Sequence, residues 1–517
     1  MDKVDITTLL EEGSIKELFN KLDADRTTVL DRGRNCSALT IPSILPKTGH
    51  SEETQLQTPY QALGARLVNN LAAKLLLSLL PPNTPFFRLL VEEEAREILS
   101  TQAGTKSQET GSALTELDQQ LSIVEQEILK QIEREALRVP TFEAIKSLIV
   151  TGNSLCYKTE ESLDVFKLTD YVVQRDYSGN PIEIITKMVV LKATLDQEIL
   201  EQLQQSQEVD ESQDIEVYTR ATLRNGEWIE YQQIEAIFIE GSEQRFKPDK
   251  LPYMPLRWSA INGENYGRGL VEQYLGDFRT LEGLYQLLIE HSAVAGRTVF
   301  GKRPGSILDI KELNEAENGQ CIYGDLESDI TVLRVEKGND LQAPMQLVQD
   351  LTRRLEQAFL VASSAVRDSE RTTALEIRYL ASDLEQALGG LYSVLALEFQ
   401  RPLATILLSK IDLGSSGLVN PVIVTGLEAL GRNNELDKLR QLNAFIMELG
   451  TPEILLQRLN IDNYISMVGS ALGINTTTLI KSNQQIQQEQ EQSQAQALMQ
   501  QGAGNIVDGA TKEATTA

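Results

Sequence analysis

The sequence predicts an α+β fold that is mainly helical, and three observations predict it. Apolar residues recur at helical spacing on both sides of a central stretch, residues 155–260, where β-branched and aromatic residues cluster instead. In two later stretches the apolar residues are separated alternately by three and four, the spacing of a seam that packs along another helix. At 517 residues the chain is long enough for about two to four modules with cores of their own.

The N-terminal region, to about Leu137, reads as helical. Asp5 to Leu22 is amphipathic, and Tyr60 to Leu80 carries an apolar stripe. Leu114 to Leu137 continues with Leu117, Leu121, Val124, Ile128 and Ile132 at helical spacing. Pro140 is expected to end that helix, with a short one, Phe142 to Val150, before Gly152-Asn153. The most apolar run, Leu71 to Leu80, contains Lys74 and stops at Pro81-Pro82. It is about half the length a bilayer span needs, so it reads as buried core and no membrane span is expected. Met1 is followed by Asp2, Lys3 and Asp5, which is no secretory leader pattern.

Strands are expected at Val165-Phe166, Tyr171 to Val173, Ile182 to Val190 and Ile215 to Leu223. Asn225-Gly226 separates the last of these from Trp228 to Tyr231, a two-residue hairpin signal. Residues 195–212, rich in Glu, Gln and Asp, read as an exposed helix or insertion.

After Gly267 a long helix is predicted, with Val271, Tyr274, Phe278, Leu281, Tyr285 and Leu288 spaced by 3, 4, 3, 4 and 3. That seam fits a helix buried within one subunit as well as a contact between subunits. Residues 298–340 form an insert with strand signals at Val299-Phe300, Gln320 to Tyr323 and Ile330 to Val335. Helix returns at Pro344, with Met345, Val348, Leu351, Leu355 and Phe359 as its stripe. A polar break, Arg367-Asp368-Ser369-Glu370-Arg371, then separates it from a helix started by the capping pair Thr373 and Glu376. Ile377, Leu380, Leu384, Ala387, Leu391 and Val394 repeat the three-and-four spacing, and Gly389-Gly390 interrupts it. Each glycine costs a helix about 1 kcal/mol relative to alanine, so the pair predicts a kink or a close crossing. Shorter helices follow Pro402, at Leu403 to Ile411, Leu436 to Leu449 and Pro452 to Leu472. From Asn483 the Gln-rich composition has no apolar period and predicts disorder.

A formal charge of −27 repels nucleic acid phosphates and argues against ordinary DNA binding, though not against a passage through which DNA slides. Cys36, Cys156 and Cys321 match no zinc or redox spacing and read as reduced structural residues. The two histidines, His50 and His291, stand beside no nucleophile motif. Gly104-Thr105-Lys106-Ser107 lacks the glycines that a phosphate loop needs before its lysine. Acidic pairs abound, and a solvated acidic surface is the plain reading of them. The sequence therefore predicts no catalytic set, no cofactor and no metal.

Several collinear stretches carry a resemblance. They are Asn35 to Lys47, Gln57 to Pro81, Tyr171 to Asp176, Tyr266 to Glu282, Thr373 to Pro402 and Gly426 to Arg432. Together they resemble the head-to-tail connector, or portal, proteins of short-tailed, podovirus-type bacteriophages. The resemblance runs over about residues 26–480 and is weakest in the insert 298–340, near 200–212 and in the tail. It implies a portal fold with wing, stem, clip and crown, assembled as a dodecameric ring at one capsid vertex. The wing would span 1–265, with its strand-rich region at about 155–260. Stem helices would be 266–297 and 341–362, bracketing a clip at 298–340. Residues 363–372 would form a channel loop, 373–402 a kinked wing helix, 403–482 a crown and 483–517 a disordered tail. The implied partners are further copies of the chain, major capsid and scaffolding proteins, terminase, tail adaptor and internal core proteins, and double-stranded DNA in transit, without a membrane. Assembly would take place in the host bacterial cytoplasm. Arg367 and Arg371 would touch phosphates briefly, with Asp368 and Glu370 weakening those contacts. A packaging hydrolase or nuclease, and a tail subunit without a channel, are the alternative readings.

Overall fold

Asn225 and Gly226 both adopt positive φ, 51° and 83°, which is the two-residue hairpin turn that matches strand twist. The hairpin they close belongs to a computed structural model describing residues 9–10, 13–49, 55–82, 84–91, 107–192, 214–234, 237–295, 299–307, 309–323, 325–333, 341–361, 382, 386–388, 390–410 and 421–425. The chain divides into two units, Met1–Pro82 with Ile132–Ile411, and Asn83–Gln131 with Asp412–Ala517.

In chain order the elements begin with helices α1 (Ile15–Asp25), α2 (Thr27–Ala38) and α3 (Leu63–Leu79). Strand β1 (Phe87–Val91), α4 (Ser107–Arg134) and α5 (Arg138–Thr151) follow. Next come β2 (Asn153–Lys158), β3 (Leu163–Phe166), β4 (Tyr171–Arg175), β5 (Pro181–Leu191), β6 (Asp214–Arg224) and β7 (Glu227–Ile234). The short strands β8 (Ile237–Phe238) and β9 (Gln244–Phe246) precede β10 (Tyr253–Arg257). Helices α6 (Leu270–Gln273) and α7 (Leu275–Ala295) lead to β11 (Val299–Lys302) and β12 (Ile330–Leu333). Helix α8 (Gln342–Ala358), α9 (Leu391–Leu395), a π turn at Ala396–Gln400, α10 (Arg401–Ser409) and β13 (Pro421–Thr425) follow, and one-turn helical segments lie at Pro248–Lys250, Ile310–Asn314 and Leu326–Asp329.

The larger unit is built on an antiparallel sheet in the order β4-β5-β6-β7-β8, with β9 also paired to β7. Both faces are covered, and the period-2 alternation of strands assigns each residue to one of them. Val172, Ile185, Tyr218, Ile229 and Tyr231 pack under Ile15 and Phe19 of α1. Gln233 holds that helix in place, its side-chain oxygen accepting the Ile15 N–H at 2.8 Å. On the opposite face Ile184, Ala221 and Trp228 share a core with Leu155 and Tyr253 of a second sheet, β10-β2-β3. Helix α3 is core, as the apolar run predicts: Leu67, Val68, Leu71, Ala72, Leu75 and Leu79 are all buried.

Several expectations need correction. The N-terminal region is not wholly helical, because β1 pairs antiparallel with β13 in the smaller unit. A partner so distant in sequence leaves no local signal. Pro140 ends nothing; it sits in the first turn of α5, where a missing N–H is free of cost. The break falls instead at residues 135–137, with Ala136 at φ 49°. Gln320 to Tyr323 is not a strand, and β11 pairs directly with β12. Gly390 stands at φ 88° in the left-handed region, so the chain there breaks and restarts as α9 rather than bending through a continuous helix. Nor does Pro402 interrupt the chain, since α9, the π turn and α10 run on across it. Residues Leu391–Ser409 are the one stretch among the described residues long and apolar enough to cross a membrane, and 61% of that window is buried within the protein as core. Gly389, Thr373 and the helices expected at 436–472 lie outside the described residues.

Candidate functional site

The predicted seam starts where two backbones cross. Gly152 ends α5 at φ 81°, and a Cβ there would stand 2.4 Å from the Gly269 nitrogen. Only glycine allows that approach. Beside it the Asn153 side chain pairs with Gly267 in both directions: its Nδ2 donates to the carbonyl at 3.0 Å and its Oδ1 accepts the N–H at 2.7 Å. The start of the seam is thus clamped to the strand-rich region.

From there the seam is two helices, not one. Val271 lies in α6, Tyr274 closes that short helix at φ −109°, and the remaining seam residues belong to α7. Opposite them runs α8. Phe278 and Phe359 meet edge to face with centroids 5.8 Å apart, and Tyr274 lies 6.1 Å from the same ring. Arg354 reaches Asp277 at 3.4 Å. The end of α8 therefore sits beside the start of α7, and the two helices are antiparallel.

This near half is closed within the subunit. Val271, Phe278, Leu281, Leu351, Leu355 and Phe359 are buried. Glu282 accepts the backbone N–H groups of Tyr60 at 2.8 Å and Gln61 at 3.2 Å. Arg66 pairs with Glu356, and the buried Lys74 donates its ammonium to the Leu360 carbonyl. A cation there also complements the C-terminal end of the α8 dipole. Leu360 takes the left-handed conformation, φ 59°, and the Val361 N–H returns to the Glu356 carbonyl at 2.8 Å, so the helix stops firmly.

The far half is different. Tyr285 and Leu288 are only partly buried, while Leu287, Ile289, Met345 (54%) and Leu347 (44%) are exposed. The hairpin insert that follows exposes Ile307 (82%), Ile310 and Tyr323 (83%). These side chains are uncovered in the chain taken by itself.

Past Leu360 the polar break Arg367, Asp368, Ser369, Glu370 and Arg371 lies outside the described residues, as does Gly389. The helix on its other side is tied down by polar side chains that sequence reasoning missed. Glu398, in the π turn, accepts from Arg257 Nη2 at 2.7 Å and from its backbone N–H at 3.0 Å. Tyr392 donates to the Ser78 carbonyl at 2.9 Å and Gln400 to that of Leu79 at 2.8 Å. The signal available was a lone acid, Glu398, within an otherwise apolar helix. Nearby, burial pulls the Arg175 guanidinium down to about 10 although Glu398 opposes the shift.

Burial pushes the Cys36 and Cys156 thiols up to about 12, which leaves them unreactive. Among the described residues no group of His, Cys, Asp and Glu is arranged to hold a metal ion.

Comparison with known proteins shows the family. The family described as bacteriophage head to tail connecting protein matches residues 12–480. The portal protein of Escherichia phage T7 is 35% identical over 98% of this chain and 96% of its own length. The portal protein of Enterobacteria phage T3 is 34% identical over 96% of this chain and 92% of its own. That of Enterobacteria phage SP6 is 32% identical over 98% of each.

Proposed function

This chain belongs to the bacteriophage head to tail connecting proteins, and from that premise we propose that it works as one subunit of a closed ring. Its role is that of a portal protein. In the proposed ring, dodecameric in the virion, α7 and α8 are the stem and the insert 298–340 is the clip. Residues 1–265 are the wing, 363–372 the channel loop, 373–402 the wing helix and 403–482 the crown. DNA enters the capsid vertex through the axial hole during packaging and leaves by it at ejection. Terminase and then tail proteins dock on the ring from outside, and capsid, scaffolding and core proteins meet it from within.

One observation carries the ring reading: the far half of the α7–α8 pair exposes Leu287, Ile289, Met345 and Leu347, which a single subunit leaves uncovered. Full burial of such a side chain is worth about 1.5–3 kcal/mol; with 39–54% of each still exposed, a neighbouring copy that covers all four gains roughly half of that apiece, together more than an exposed ion pair offers. The net charge supports a passage for DNA, because few fixed cations give sliding phosphates no deep wells. The chain itself does no chemistry in this reading, and the driving force belongs to a separate motor.

A negative-stain image of the purified protein tests the proposal. Rings with an open axial hole are expected; folded particles without one contradict it. The channel loop is tested separately by Arg367→Gln with Arg371→Gln. Rings should form while packaging or genome retention changes, and unchanged DNA steps would reduce the loop to a turn.

A further inference from the structure

The interface between the two sheets contains a carboxyl group with no counter-ion. Glu230 lies on β7, on the side that faces β10 and β2, and is only 4% exposed. Its Oε1 accepts from the Tyr253 hydroxyl at 3.3 Å, and its Oε2 is buried with no hydrogen-bond partner. The elements around it supply little to hold a charge. From β10 comes Tyr253, whose ring lies 4.5 Å from that of Tyr157 on β2. From β3, Asp164 acts on Tyr157 as a second negative charge. Ala221, paired with Glu230 across the β6–β7 ladder, offers no polar group; the β9 partner of Glu230, Gln244, is neutral and exposed, Thr186 of β5 meets the Tyr253 hydroxyl, and Glu230's own strand flanks it with Trp228 and Gln232. Among the described residues no cation offsets Glu230, and desolvation pushes its carboxyl up to about 7 against the pull of the Tyr253 hydroxyl.

We propose that Glu230 is a proton-sensitive latch between the two sheets, holding β10 against β7 while neutral and loosening it once ionised. A protonated carboxyl suits an apolar interface, since its charge is gone and its hydroxyl can donate. An ionised one has a single neutral donor and no cation. The consequence reaches beyond the interface, because β10 continues to Arg257, whose guanidinium and N–H grip Glu398 in the π turn between α9 and α10. A looser β10 holds that turn less firmly. The folded-state carboxyl titrates higher than the unfolded one, so the interface is firmest in acid and weakens as pH rises through about 7.

Hydrogen exchange on the full-length protein, corrected for the intrinsic pH dependence of exchange, tests this. The opening constant of amides in 253–258 should rise about tenfold between pH 6 and pH 8, from the separation of the two titrations. In Glu230→Gln, which keeps the shape but cannot ionise, that rise should vanish in the same assembly state. Tyr253→Phe removes the one donor to the carboxylate, so the midpoint should move to higher pH; this variant also serves if the glutamine form does not fold. A wild-type protein with no pH dependence, or a rise of equal size in Glu230→Gln, or an unmoved midpoint in Tyr253→Phe, overturns the latch.

Discussion

The near and far halves of the α7–α8 pair have the same kind of sequence and opposite surroundings. Phe278 and Leu281 face Leu355 and Phe359 in full burial, while Leu287, Ile289, Met345 and Leu347 stand exposed farther along. The spacing of apolar residues states that a helix has a sticky face, and says nothing about which molecule covers it. The near half is covered by its own subunit and tied to α3 through Arg66 and Lys74. The far half carries the proposed contact between copies.

Substitutions should separate the halves by size of effect on the subunit. Phe359→Ala removes a ring that touches both Phe278 and Tyr274 and should cost about 3–5 kcal/mol in chemical denaturation. Lys74→Met deletes the donor to the Leu360 carbonyl, and losing a buried polar contact costs about 1–3 kcal/mol, read as a drop in denaturation midpoint. Gly390→Ala forces a Cβ into the left-handed region and should cost about 1–2 kcal/mol, a reversal of the gain that a continuous helix would give. The far-half double change Leu287→Asp with Ile289→Asp should cost the subunit no more than about 1–2 kcal/mol, well below Phe359→Ala, because the two side chains are already 39% and 50% exposed. A loss comparable to that of Phe359→Ala would show the far half to be internal core.

What the sequence disclosed follows the range of its signals. The Asn225-Gly226 hairpin and the strands beside it were legible, since turn chemistry and period-2 alternation are local. The apolar run of α3 was legible as core for the same reason. The β1–β13 pair was not, because its register joins residues from opposite ends of the chain. No local signal marks Glu230 as buried, since an acid in a strand ordinarily faces water. Only the second sheet, built from 153–166 and 253–257, covers it. The helical spacing of the seam residues was legible. That Tyr274 ends a separate short helix, and that burial fades after Leu281, depends on α8 and on the stop at Leu360, neither of which the spacing encodes.

The central claim is that the far half of the helix pair is covered by a second copy of the chain. Native mass spectrometry of the wild type beside Leu287→Asp with Ile289→Asp, at the same concentration and physiological salt, tests it most directly. The account predicts a closed ring for the wild type and folded, dissociated subunits for the variant. Rings of equal size and yield from both proteins would contradict it.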